Sequence, residues 1–150
     1  MASPTQNEKT TILFLCTGNS CRSQMAEGWV RQLYPELFAP YSAGIEKQGL
    51  NPRAVRVMAE SGVDIESQYS KLVEEIPLAT FDYVITLCDH ASETCPYFPG
   101  RTLHHAFPDP PRLAEAATTE EEILQAYRLV RDQIRLFIES LPEFLLRNRK

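Results

Sequence analysis

The chain has 150 residues, 43% of them hydrophobic and 23% charged, the size and composition of one globular domain with one core rather than a disordered or fibrous protein. Fifteen basic residues against twenty acidic ones leave a net charge of −5. The one basic cluster is the tip with Arg147, Arg149 and Lys150, which argues against a nucleic-acid or membrane-surface role.

No apolar run approaches the roughly 18 residues of a membrane span, and residues 1–10 lack the apolar stretch of an export signal. The expectation is a cytoplasmic, monomeric protein: a polar leader over residues 1–10, then one domain over residues 11–150. Residues 11–15 are almost continuously apolar, as in a strand covered on both faces. Met25, Ala26, Trp29, Val30 and Leu33 then recur at helical spacing, with Pro35 closing the pattern. Residues 41–45 read as a second strand. Asn51 followed by Pro52 reads as an N-cap with proline in the first turn of a second helix, stopped by Gly62. Val63 and Ile65 begin the return.

Residues 81–87 are rich in aromatic and β-branched side chains and predict a central strand that ends at Cys88. The following stretch, residues 89–112, holds five prolines and one glycine and reads as a long functional loop enclosing one more short strand, residues 101–107. Thr119 and Glu122 form a capping box ahead of a long amphipathic helix carrying Leu124, Tyr127, Val130, Ile134, Phe137 and Leu141, which Pro142 bends or ends. This alternation predicts an α/β fold in three layers, a four-stranded parallel sheet with helices on both faces. Ligands in such sheets sit at the carboxyl ends of the strands, where Cys16 and Cys88 both fall.

The chemistry concentrates in Cys16-Thr17-Gly18-Asn19-Ser20-Cys21-Arg22-Ser23, between a strand and a helix. A turn of this length can aim successive N–H groups at one tetrahedral oxyanion at the positive end of the following helix. Gly18 and Asn19 tolerate the left-handed backbone such a nest needs. Arg22 can close the ring with two parallel hydrogen bonds, and the same field favours a thiolate at Cys16. A cysteine ending an apolar strand is otherwise usually a small buried hydrophobe; the loop and arginine reverse that reading. The Gly-Lys-Ser/Thr ending of a Walker loop is missing.

The segment from Cys16 to Trp29 resembles the opening of the arsenate reductases built on the low-molecular-weight tyrosine phosphatase fold. The resemblance continues through residues 41–45, 49–52, 84–88, Cys95-Pro96 and 107–110. It implies that Cys16 attacks arsenate, Arg22 clamps it and Asp109 protonates the departing oxygen. It further implies that Cys88 attacks the Cys16 sulfur to release arsenite, and that Cys95 then forms a Cys88 to Cys95 disulfide, which is passed to thioredoxin. If residues 88–95 were helical, the two Cα atoms would lie about 10 Å apart, beyond the ~7 Å reach of a disulfide, so that segment is expected to unwind on oxidation.

Cys16, Arg22 and Asp109 alone would also suffice for a tyrosine phosphatase of this fold with redox-regulatory cysteines. Against that, Asp109 is followed by Pro110 and Pro111, where those phosphatases usually carry a tyrosine that packs on an aryl substrate. An oxyanion-responsive binding protein is the non-enzymatic alternative, and leaves Asp109 without a task. Phosphate and sulfate are expected as competing oxyanions, and no cofactor or metal is expected: His90, His104 and His105 fit no common zinc spacing. Cys21 reads as a packing residue, while the resemblance implies that Ser23 bonds the thiolate and Asn19 braces the loop. The resemblance also matches Asn19, Glu27 and Ser42 to part of a monovalent-cation site, with Lys71 where cation-binding members carry aspartate; the Lys71 ammonium is expected to replace the cation.

Overall fold

The computed structural model describes residues 9–89 and 102–148. The expected α/β fold is the one observed. Strand β1 (Thr10–Leu15) lies between β2 (Phe38–Ala43) and β3 (Tyr83–Thr86), and β4 (Thr102–His104) extends the sheet beyond β3, every pair being parallel. Ile12, Leu13, Phe14 and Leu15 are all fully buried because β1 is covered on both faces. Its side chains alternate accordingly. Ile12 and Phe14 join the larger core, with Met25, Trp29 and Val30 of α1 (Arg22–Leu33) and Ala54, Val57 and Met58 of α2 (Pro52–Glu60). The apolar stripe of α4 (Glu120–Glu139), with Leu141 and Leu145 of α5 (Leu141–Arg147), completes that layer. Burial of each large side chain contributes roughly 1.5–3 kcal/mol. Leu13, Leu15 and Val84 face the other way and, among the described residues, pack against Ala43, Phe81, Val73, Ile76 and Leu78.

β3 and β4 are shorter than the expected residues 81–87 and 101–107, and four further details shift, each for a local reason. The second strand comes earlier than residues 41–45: Gly44 and Ile45 leave the sheet because their N–H groups donate to Lys71 O and Thr17 O, at 2.9 and 3.0 Å. Pro40 is accommodated because β2 is an edge strand, where a missing N–H is tolerated. The capping box is displaced by one residue. Thr119 accepts from the Glu122 N–H as expected, but the Glu122 carboxylate returns to the N–H and hydroxyl of Thr118, at 2.8 and 3.0 Å.

The long helix stops at Glu139, before Leu141, and Pro142 sits in the first turn of α5, where its absent N–H has no intrahelical partner to lose. Finally, a short helix, α3 (Pro110–Leu113), starts directly after Asp109 inside the predicted loop. Residues 90–101, on which the expected unwinding, His90 and Cys95 fall, lie outside the described residues, as do residues 1–8 and the tip. Among the described residues, no helix is long and apolar enough to cross a membrane.

Candidate active site

The loop after β1 is held open from outside through its carbonyl groups. Thr17 O accepts from the N–H groups of Ile45 and Glu46 at 3.0 and 3.1 Å, and Gly18 O from the Gln48 N–H at 3.1 Å and the Ser70 hydroxyl at 3.0 Å. Asn19 O accepts from Gln24 Nε2 at 3.0 Å, Ser20 O from the Asn51 N–H at 3.1 Å, and Cys21 O from the Met25 N–H at 2.8 Å. Because each peptide unit is planar and trans, carbonyls turned outward turn the next N–H groups inward. The N–H groups of Gly18, Asn19, Ser20 and Cys21 thereby face the concave side, a nest for an anion at the N-terminus of α1. Asn19 supplies the left-handed turn, with φ of 49°.

The nest opens on a cavity of about 70 Å³ lined by Cys16, Thr17, Gly18, Ser20, Cys21, Arg22, Gln48 and Asp109. Drug-sized ligands occupy roughly 300–1,000 Å³, so this space suits a small oxyanion. Arg22, 3% exposed, spans it from the start of α1: Nη1 donates to Phe107 O at 3.2 Å, and Nη2 lies 3.6 Å from Asp109 Oδ1. Asp109, one third exposed, therefore stands at the mouth beside the arginine. Cys16 Sγ sits 2.9 Å from Ser23 Oγ, which in turn accepts from Asn19 Nδ2 at 2.7 Å. That acceptance leaves the Ser23 hydroxyl proton to point at the sulfur.

The remaining predicted residues divide clearly. Cys21 is buried and its thiol is pushed up to about 12, chiefly by desolvation and against the pull of the Ser20 hydroxyl. It is a neutral packing group at physiological pH. Cys88 is buried at the end of β3 and disulfide-bonded, whereas Cys16 and Cys21 are free thiols. The parallel register sets Leu15 beside Thr86, and the Leu87 N–H donates to Leu15 O at 2.9 Å, so Cys16 and Cys88 leave adjacent strands at one sheet edge.

Lys71 is buried beside the loop. Its N–H donates to Asn19 Oδ1 at 2.7 Å, and its ammonium donates to Tyr69 O at 2.8 Å and lies 4.5 Å from the Tyr69 ring centre. Burial pushes its pKa down while the Glu27 carboxylate pulls it back. Glu27 itself accepts from Ser42 Oγ at 2.6 Å, so the four positions matched by resemblance share one corner. His104 bonds Thr86 Oγ1 at 2.6 Å, and His105 stacks on Phe107 and lies tilted against Phe137. Among the described residues, no three His, Cys, Asp or Glu side chains gather as a metal would require.

Three contributors escaped the sequence reading. A Cβ on Gly44 would meet Thr17 O at 2.6 Å and Asn19 N and Cys16 O at 2.9 Å, so its bare backbone is what lets β2 approach the loop. Gln24 fastens Asn19 from behind, and Gln68 holds Gln24. No motif marks either amide: Gln24 bonds Asn19 five residues back, but what orients it, Gln68 and Tyr69 O, lies 44 and 45 residues away.

A central parallel strand running into a Cys-x5-Arg anion loop at a helix N-terminus, with an aspartate at its mouth, defines the class of cysteine-based phosphatase-like proteins. The chain belongs to the low molecular weight phosphotyrosine protein phosphatase family, whose pattern it matches over residues 11–144. It is 49% identical to an arsenate reductase of Bacillus licheniformis over 90% of this chain and 96% of that protein. It is 46% identical to an arsenate reductase of Halalkalibacterium halodurans with the same two coverages. A solved structure described as an arsenate reductase in the phosphate binding state superposes with a TM-score of 0.69 at 31% identity, covering 88% of this chain and 95% of that one.

Proposed function

We propose that the chain reduces arsenate to arsenite through Cys16, Cys88 and Cys95, with thioredoxin as electron donor. The observation that carries the reading is the pairing of an oxyanion nest at Cys16 with a second redox-capable cysteine, Cys88, at the end of the adjacent strand. Phosphoester hydrolysis needs no electrons, whereas arsenate reduction needs two. Cys16 thiolate attacks arsenic held by the loop N–H groups and Arg22, and the leaving oxygen takes a proton from Asp109, giving a Cys16 sulfur–arsenic bond and water. Cys88 thiolate then attacks the Cys16 sulfur. The sulfur–sulfur bond forms as the sulfur–arsenic pair of electrons passes to arsenic, which leaves as arsenite. Cys95 attacks Cys88, freeing Cys16 as thiolate, and the thioredoxin dithiol reduces the resulting Cys88 to Cys95 disulfide.

The test is arsenate-dependent NADPH oxidation in the presence of thioredoxin and thioredoxin reductase. The native protein is expected to turn over, and Cys16→Ser, Cys88→Ser and Cys95→Ser each to abolish turnover. Hydrolysis of an aryl phosphate that needs Cys16 but not Cys88 or Cys95, without NADPH oxidation, would instead make the chain a phosphatase, the reading its family membership keeps in view.

A further inference from the structure

A row of hydrogen bonds runs from the protein surface to the Cys16 sulfur, and every link from Arg31 to Ser23 donates in the same direction. It starts at Arg31 on α1, about half exposed, whose Nη1 donates to Gln68 Oε1 at 3.0 Å. Gln68 Nε2 donates to Gln24 Oε1 at 2.8 Å, Gln24 Nε2 to Asn19 Oδ1 at 3.1 Å, and Asn19 Nδ2 to Ser23 Oγ at 2.7 Å. Ser23 then faces Cys16 Sγ at 2.9 Å.

The direction is dictated by groups with only one polarity. A guanidinium has donors alone, so Gln68 turns its oxygen toward Arg31 and its nitrogen toward Gln24. The Lys71 N–H is likewise only a donor and takes Asn19 Oδ1, which leaves the Asn19 nitrogen for Ser23. Gln24 Nε2 also faces the carbonyls of Asn19 and Tyr69 at 3.0 and 2.9 Å, which fixes the amide in between. Asn19, Ser23 and Gln24 are fully buried and Gln68 is 8% exposed, so the links act at low dielectric, where each bond polarises the next.

We propose that Gln24 and Gln68 are positioning residues for the Cys16 thiolate, passing the pull of the Arg31 cation through Asn19 to the Ser23 hydroxyl and so to the sulfur. The proposal rests on the reading of Cys16 as nucleophile. Among the described residues, the charged and titratable groups facing Cys16 directly are Arg22 at the start of α1, Asp109 ahead of α3 and the Cys21 thiol. Beside the row stand Lys71 and Glu27, and Glu27 also pairs with Arg31.

The experiment follows alkylation of Cys16 by iodoacetamide across pH in the reduced full-length protein, reading the Cys16 peptide by mass spectrometry. Gln68→Met keeps length and charge while removing both links. It is expected to raise the alkylation midpoint by about half a pH unit, about threefold slower reaction on the acid side. Arg31→Met moves it the same way by less, and Ser23→Ala by more. Because Ser23 is the last link, Gln68→Met adds nothing in a Ser23→Ala background. An unmoved midpoint with weakened phosphate binding means a merely structural role and overturns the proposal, as does an equal shift in both backgrounds. Should Gln68→Met fail to fold, Arg31→Met at the exposed end runs the same cycle against Ser23→Ala. Arsenate turnover that survives complete alkylation of Cys16 would sink the nucleophile assignment instead, and the midpoints would then judge the row of donors alone.

Discussion

At the scale of single residues, the loop depends on a hydrogen atom and on a lysine. Replacing Gly44 by alanine forces a methyl group against three backbone atoms of the loop, none of which is the free end of a side chain. The loop must shift, and a shift of its N–H groups is felt by the anion. Gly44→Ala is expected to weaken phosphate binding about tenfold, ~1.4 kcal/mol, in a protein that still unfolds cooperatively, as titration calorimetry would read. Lys71 occupies the corner shared by Glu27, Ser42 and Asn19 with its own cation. Turnover is therefore expected to be equal in potassium and sodium at matched ionic strength. A strong rise with potassium would show that the ammonium does not fill that role. Cys21, held as a neutral thiol by burial, is expected to tolerate Cys21→Ala with its arsenate turnover intact, since a thiol pushed up to about 12 neither attacks nor relays at neutral pH.

At the scale of elements, α2 does two tasks from one residue. The Asn51 carboxamide caps the helix, accepting from the Arg53 and Ala54 N–H groups at 2.8 and 3.3 Å, while the Asn51 backbone N–H holds Ser20 O of the loop. These are separable. Asn51→Ala removes the cap, a loss of about 1 kcal/mol, but keeps the N–H, so the urea midpoint is expected to fall with phosphate affinity unchanged. The cap was legible because Asn51-Pro52 carries its signal in two adjacent residues, and the loop because its chemistry lies in eight consecutive residues, 16–23. What could not be read was decided by crossings of the chain. The bounds of β2 follow from Thr17 and Lys71 drawing off the N–H groups of Ile45 and Gly44. Gln68 reaches Gln24 across 44 positions of sequence. The break between α4 and α5 is a matter of degree: Leu141 keeps the helical apolar spacing although Ser140 has already closed the helix.

At the scale of the whole molecule, α2 is fastened to α4 by charge at both ends. Near its start Arg53 binds Glu120 at 2.9 Å, and at its end Glu60 accepts from Arg128 Nε and Nη2, both at 2.9 Å, and from Arg131 Nη1 at 3.0 Å. Arg131 Nη1 also donates to Val57 O at 2.9 Å, tying the clamp to the helix backbone. Hydrogen bonds from Arg128, outweighing desolvation, hold the Glu60 carboxyl at about 2, well below its ordinary value of 4.5. A carboxylate depressed by folding stabilises the fold fully above the unfolded pKa, and that contribution is lost as pH falls from about 4.5 through about 2. The carboxylate is a third exposed, so water and salt damp the effect. Glu60→Gln should therefore lower the stability at pH 7 by no more than about 1 kcal/mol, and the difference from the native chain should close as pH falls to about 2. Chemical denaturation at a series of pH values reads this directly. A gap that persists at the acid end would mean that Glu60 stabilises by packing rather than by charge. Because the N-cap of this same helix holds Ser20, the charges that dock α2 on α4 also fix the ground on which the anion loop stands.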